Sequence, residues 1–353
     1  MSLSALIQQQ IKKHGPITIA DYMQLALQHP DYGYYTRNDP LGAKGDFTTA
    51  PEISQIFGEL IGAWLATQWM ESGKPGMALV ELGPGHGTLM ADILRATRKI
   101  PDFHDALSVH MVETSPTLKQ KQWSTLAGAH INLHWHDGLD TVPDRPLLLV
   151  ANEFFDALPI RQYVHTAKGW QERMVTLDKE GKLTFIMVSA KPPATLKELP
   201  VSENIYEYSE PSIEVMQMIG TRLKQRGGAA LIIDYGYTGG TRADTLQAVK
   251  AHNFHPVLET PGAADLSAHV DFDALAGAAV AQGAIRFPVA TQGRFLERLG
   301  AELRLKALCK DANAAQKSAM ISGLERLTSP DAMGELFKAL CVAHPEHPHP
   351  DGF

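Results

Sequence analysis

Residues 78–90, Ala-Leu-Val-Glu-Leu-Gly-Pro-Gly-His-Gly-Thr-Leu-Met, constrain this chain more than any other stretch. A short apolar run reaches the acid Glu81, glycines follow at Gly83, Gly85 and Gly87, and apolar positions then recur at helical spacing. The order predicts strand, glycine turn, helix. Such a turn needs backbone dihedrals closed to other residues, and bare backbone lets a nucleoside lie against it. The stretch points to a nucleotide-type cofactor, against the alternative of a glycine turn that is only structural.

Spacing narrows the cofactor. The dinucleotide fingerprint needs Gly-x-Gly-x-x-Gly, but here the third glycine comes one position early and Thr88 stands in its place. The phosphate loop Gly-x-x-x-x-Gly-Lys-Ser/Thr is absent, which disfavours a triphosphate. What remains is Glu-x-Gly-x-Gly-x-Gly followed by a second apolar strand ending in Glu113. Glu113 could bind both ribose hydroxyls, and Glu81 could attract the ammonium and sulfonium of S-adenosylmethionine.

At 353 residues, with 44% hydrophobic and 20% charged residues, the chain has the composition of a soluble globular protein. The net charge of −7 and the lack of basic runs disfavour a nucleic-acid partner. Two cysteines, Cys309 and Cys341, are too few for a disulfide framework or a structural zinc site. No stretch of about 18 apolar residues suggests a membrane span, so the expected location is cytoplasmic. Histidines 344, 347 and 349 are separated by prolines, and no functional metal is expected.

Residues 1–73 read as N-terminal helices plus a long polar loop at 42–54, in which Asp46 and Glu52 could belong to a lid over the cofactor. Residues 74–343 read as one cofactor-binding region that alternates strands and helices. Asp137 follows a third strand and could reach an adenine amino group or serve as a turn aspartate before Gly138. Residues 145–152 form a continuous apolar run, as in a strand buried on both faces, and lead into Asn152, Glu153 and Asp156. Strands alternating around Gly169 and Gly181 predict an antiparallel insertion at about 161–210. A further buried strand at 229–237 carries Asp234, and a loop after it carries His269. Residues 301–340 read as helical, and 344–353 as a frayed, flexible tail.

Several long motifs resemble the MidA-type methyltransferases, a family that includes the mitochondrial complex I assembly factor reported as a protein arginine methyltransferase. They are Tyr-Gly-Tyr-Tyr at 32–35, Gly-Asp-Phe-Thr-Thr-Ala-Pro-Glu-Ile-Ser from 45, the glycine stretch from 81, Asn-Glu-Phe-Phe-Asp-Ala-Leu-Pro from 152, Ile-Ile-Asp-Tyr-Gly from 232 and Asp-Leu-Ser-Ala-His-Val-Asp-Phe from 265. Two positions depart from the family's commoner residues: His86 stands for Arg and Tyr237 for His. The resemblance implies an α/β fold of the class I S-adenosylmethionine-dependent type, Rossmann-like and seven-stranded, with an N-terminal helical extension and the inserted antiparallel region. It places Gly83, Gly85 and Gly87 under the cofactor and Glu113 on its ribose. It also implies methylation of an arginine on a protein partner, a respiratory-complex subunit in the mitochondrial member. With no mitochondrial targeting segment, a bacterial member is expected.

Methyl transfer requires an aligned acceptor and removal of its proton. A guanidinium is always protonated and best held by carboxylates. Glu153 and Asp156 are therefore the candidate catalytic pair, with His269 a further candidate and Asp234 and Asn152 behind them; Asp156 could equally support a helix N-terminus. Two other readings remain open: an O- or N-methyltransferase for a small molecule, and a non-catalytic assembly factor that keeps the cofactor site. Oligomeric state is not legible.

Overall fold

A computed structural model of the chain describes residues 2–37, 48–130, 132–197, 199–202, 204–240 and 243–353. Contacts divide it into two compact units, one built from Met1–Phe47, Asp156–Ser212 and Gly239–His269, the other from Thr48–Phe155, Ile213–Thr238 and Val270–Phe353. The division differs from an N-terminal piece ending at residue 73. The first break falls after residue 47, and the N-terminal helices share a unit with the insertion.

The larger unit holds a mixed sheet, nine-stranded among the described residues. In chain order its strands are β1 (Met77–Leu82), β2 (Leu107–Val112), β3 (Leu133–His136), β4 (Leu147–Asn152), β5 (Gly228–Tyr237), β6 (Val270–Asp271), β7 (Ile285–Arg286), β8 (Ala290–Thr291) and β9 (Phe337–Ala343). The main path runs β7-β9-β5-β4-β1-β2-β3, with β6 on β5 and β8 on β9. Strands β3, β2, β1, β4 and β5 are parallel and β9 runs antiparallel to β5. Every residue of β1 and β4 is buried, which explains their mainly apolar sequences, with Glu81 and Asn152 the polar residues near their carboxyl ends: two-sided burial leaves no polar face. Helix Gln55–Glu71 packs on helix Thr88–Thr97 at close range, since a Cβ on Gly62 would stand 3.1 Å from the Ile93 backbone. Its Trp64 and Trp69 are buried, each contributing about 2–3 kcal/mol of apolar transfer.

Two expectations are corrected here. Residues 337–340, expected to end a helical stretch, belong instead to the antiparallel strand β9; a short, mostly buried run cannot be assigned by periodicity alone. The end of the chain is not frayed. The Trp64 indole N–H donates to the Asp351 carbonyl at 3.0 Å, and the Phe353 ring lies 5.1 Å from that of Phe295. One terminal aromatic thus anchors a segment whose prolines suggested a loose end.

The smaller unit carries an antiparallel sheet, five-stranded among the described residues, in which Gly169–Leu177 pairs with Arg161–Thr166, with Leu183–Ser189 and with Ile17–Thr18. The pairing Ile17↔Val175 joins the chain start to the insertion. Thr18 closes a capping box with Asp21 on helix Ile19–Gln28, whose Ile19, Tyr22 and Met23 enter the core of this unit.

Candidate active site

The site is built on the carboxyl ends of β1, β2 and β4, where open parallel sheets bind ligands. At the end of β1 the chain enters the left-handed region three times, with φ of 60° at Gly83, 54° at Gly85 and 81° at Gly87. The Gly83 N–H donates to the Val112 carbonyl, and Gly87 caps helix Thr88–Thr97. A Cβ on Gly83 would meet the Phe154 ring at 2.9 Å, so both conformation and space require glycine.

Acidic groups surround this turn. Glu81 is buried, and burial pushes its carboxyl well above the usual range, opposed only by the Met90 backbone N–H. Glu113 sits just beyond β2 and accepts the Ser115 N–H at 2.8 Å and the Gln122 amide at 3.1 Å. Burial raises its pKa; those two donors pull it back down. Among the described residues, Glu81 Oε2 and Asn152 Oδ1 are buried acceptors with no hydrogen-bond donor.

At the end of β4, Glu153 takes φ +51°, a conformation rare for a residue with a side chain. Its Oε1 accepts the Ala50 backbone N–H at 3.0 Å and the Asn152 amide at 3.1 Å. Ala50 begins a short helix, Ala50–Ile53, that carries Glu52. Glu52 accepts the Thr88 hydroxyl at 2.6 Å and lies 3.5 Å from His86 Nδ1. Asp234, fully buried on β5, accepts the backbone N–H groups of Phe154, Phe155 and Tyr235. It holds the turn after β4 in shape.

The larger unit therefore brings together Glu52, Glu81, the three glycines, Glu113, Asn152, Glu153 and Asp234. Asp137 is exposed and paired with Lys119, which holds its carboxyl below the usual range. Glu153 and Asp156, three positions apart in sequence, belong to different units. In the smaller unit, the carboxylates of Asp156 and Asp265 neighbour the buried Tyr35, whose hydroxyl is raised by burial and by both charges. The His269 N–H donates to the Thr245 hydroxyl, which donates to Glu207. Asp46 lies outside the described residues. Sequence reasoning missed the roles of Gln122 and Thr88: a lone glutamine and a lone threonine within helices carry no pattern that marks them.

Bare glycine backbone, a ribose-height acid and unsatisfied buried acceptors fit an adenosine cofactor with a cationic amino-acid end. Fold and site together define an S-adenosylmethionine-dependent methyltransferase. Residues 60–289 match the family of S-adenosyl-L-methionine-dependent methyltransferases, and the chain belongs to that family. It is 39% identical to "Protein arginine methyltransferase NDUFAF7, mitochondrial" of Danio rerio, covering 96% of this chain and 88% of that one. Identity to the Mus musculus protein of the same name is 40%, covering 93% and 81%. A Burkholderia thailandensis protein crystallised with S-adenosyl-homocysteine superposes with a TM-score of 0.86 at 29% identity, covering 99% of this chain and 95% of that one.

Proposed function

We propose that this methyltransferase acts on an arginine of a protein partner. The observation that carries the reading is the extent of the match to relatives named protein arginine methyltransferase, which spans nearly the whole chain. The seven-strand path β7-β9-β5-β4-β1-β2-β3 supports the class I arrangement as its scaffold. The sequence resemblance favours a respiratory-complex subunit as partner.

Bound S-adenosylmethionine supplies a methyl group activated on a sulfonium. Glu81 and Asn152 would hold its cationic end, the glycine turn would carry its nucleoside, and Glu113 would accept its ribose hydroxyls. Glu153 is the group assigned to the acceptor. Its carboxylate, fixed by Ala50 and Asn152, stands ready to accept guanidinium N–H bonds and to orient the attacking nitrogen. A pre-ordered carboxylate suits this role because no rotamer has to be frozen when the acceptor arrives. Asp156 and His269 lie in the smaller unit and take no part in this reading.

The test is transfer of labelled methyl from S-adenosylmethionine into the proteome of cells lacking the protein, comparing the intact enzyme with Glu153→Gln. One labelled band carrying methylarginine, lost in the variant while cofactor binding persists, is the expected result. Label recovered only in small molecules would overturn the protein acceptor, and full transfer by Glu153→Gln would overturn the role of Glu153.

A further inference from the structure

Gln122 is completely buried on helix Pro116–Thr125 and touches three separate parts of the site. Its Nε2 donates to the Gly85 carbonyl at 2.9 Å and to Glu113 Oε2 at 3.1 Å. Its Oε1 accepts the Trp135 indole N–H at 2.9 Å. An indole nitrogen can only donate, so Trp135 fixes which end of the amide faces it. The two N–H bonds of Gln122 are then directed at the glycine turn and at Glu113. A flipped amide would set oxygen against a carbonyl and a carboxylate, with no donor between them. A Cβ on Gly87 would also lie 3.4 Å from the Gln122 backbone, so helix and turn are packed in register at this point.

We infer that Gln122, oriented by Trp135, is the positioning residue that sets the glycine turn and the Glu113 carboxylate as one preformed surface for the adenosine half of the cofactor. Gln122 acts through those two groups and does not itself need to touch the cofactor. Its second effect is electrostatic. Glu113 is buried enough for its carboxyl to be raised, and the Gln122 donor is one of the bonds that lower it again. Removing that donor moves Glu113 further up, so the loss of binding on acidification begins at a higher pH.

The inference rests on Glu113 accepting the ribose, and the experiment separates the two. S-adenosyl-homocysteine binding is measured by calorimetry from pH 5 to 8 for the intact chain, Gln122→Leu, Trp135→Phe and Glu113→Gln, so no methyl acceptor is needed. Gln122→Leu is expected to bind about tenfold more weakly at neutral pH, with its acid midpoint moved upward. Trp135→Phe, which frees the amide to flip and keeps an aromatic ring against Trp123, should move the midpoint in the same direction by less. An unaltered acid midpoint in Gln122→Leu, or a loss of affinity equal at every pH, overturns the inference. Should Gln122→Leu not fold, the midpoint of Trp135→Phe decides in the same way. Wild-type binding by Glu113→Gln would instead remove the ribose role of Glu113.

Discussion

The Glu153 carboxylate accepts the backbone N–H of Ala50 across 103 residues of sequence, while its own backbone sits at φ +51°. The two facts belong together. A left-handed residue that is not glycine costs about 1 kcal/mol or more, and it persists where surrounding contacts fix it. Here the strained backbone follows directly on β4, and the side chain caps the segment that carries Glu52 onto the glycine turn.

Replacement of Glu153 therefore has two separable effects. Glu153→Gln keeps an oxygen for Ala50 and removes the charge, so binding of S-adenosyl-homocysteine should stay within about twofold while methyl transfer falls a hundredfold or more. Glu153→Ala removes the cap as well. It should lower stability by about 1 kcal/mol and weaken cofactor binding, which thermal unfolding with and without S-adenosyl-homocysteine will register. Equal binding by the two variants would mean that the Ala50 contact does not support the cofactor site.

Gly83→Ala meets two obstacles, a positive φ and the Phe154 ring. Destabilisation of about 2 kcal/mol is expected, read from chemical denaturation. The stabilisation that S-adenosyl-homocysteine confers on the intact chain should vanish in the variant. A full ligand-induced Tm shift in Gly83→Ala would show that the turn tolerates displacement.

Glu81 links binding to protons. Its carboxyl is raised above the ordinary 4.5, so the unfolded chain releases this proton first as pH rises. The unliganded protein accordingly loses stability as pH climbs from 4.5 through the raised native value. A cationic ligand favours the ionised form and expels the proton. Calorimetry of S-adenosylmethionine binding in buffers of different ionisation enthalpy should detect proton release below that raised value, and Glu81→Gln should abolish it. Identical enthalpies in every buffer for the intact chain would take Glu81 out of this role.

A second pH effect comes from β2. His110 hydrogen-bonds His136 at 2.9 Å and the Ser108 hydroxyl at 2.9 Å, and burial beside His136 and His134 pushes its pKa from 6.5 down to about 4. Between those values the unfolded chain holds a proton that the native chain refuses, so stability falls as pH drops from 6.5 toward 4. The loss should be about 3 kcal/mol across that window, and His110→Leu should flatten it. A slope that persists in His110→Leu would assign the effect to other groups.

Much of the larger unit was legible because its signals are local. Two-sided burial writes β1 and β4 as apolar runs, and three left-handed positions write themselves as Gly83, Gly85 and Gly87. Asp234 could be read as a strand-end acid, yet its three bonds to backbone N–H groups near Phe154 depend on β5 lying beside β4. The same limit hid Gln122, whose partners Gly85 and Trp135 lie on opposite sides of it in the chain. β9 escapes periodicity because all but Lys338 of its residues are buried, and Phe353 because proline around it outweighs one aromatic. Local pattern carries the elements; contacts between distant segments carry the site.

Pairing between distant segments also governs when the chain can become a protein during synthesis. Ile17 meets Val175, and Ala229 of the central strand β5 meets Ala343, ten residues before the end. Neither unit can close until long after its first segment has left the ribosome, and the larger one waits for residue 343. The N-terminal helices, with Ile7, Tyr22 and Met23 facing no partner during that interval, are natural clients for a chaperone. A chain that stops before residue 337 would lack the strand beside β5, and with it the closure of the sheet that supports the site.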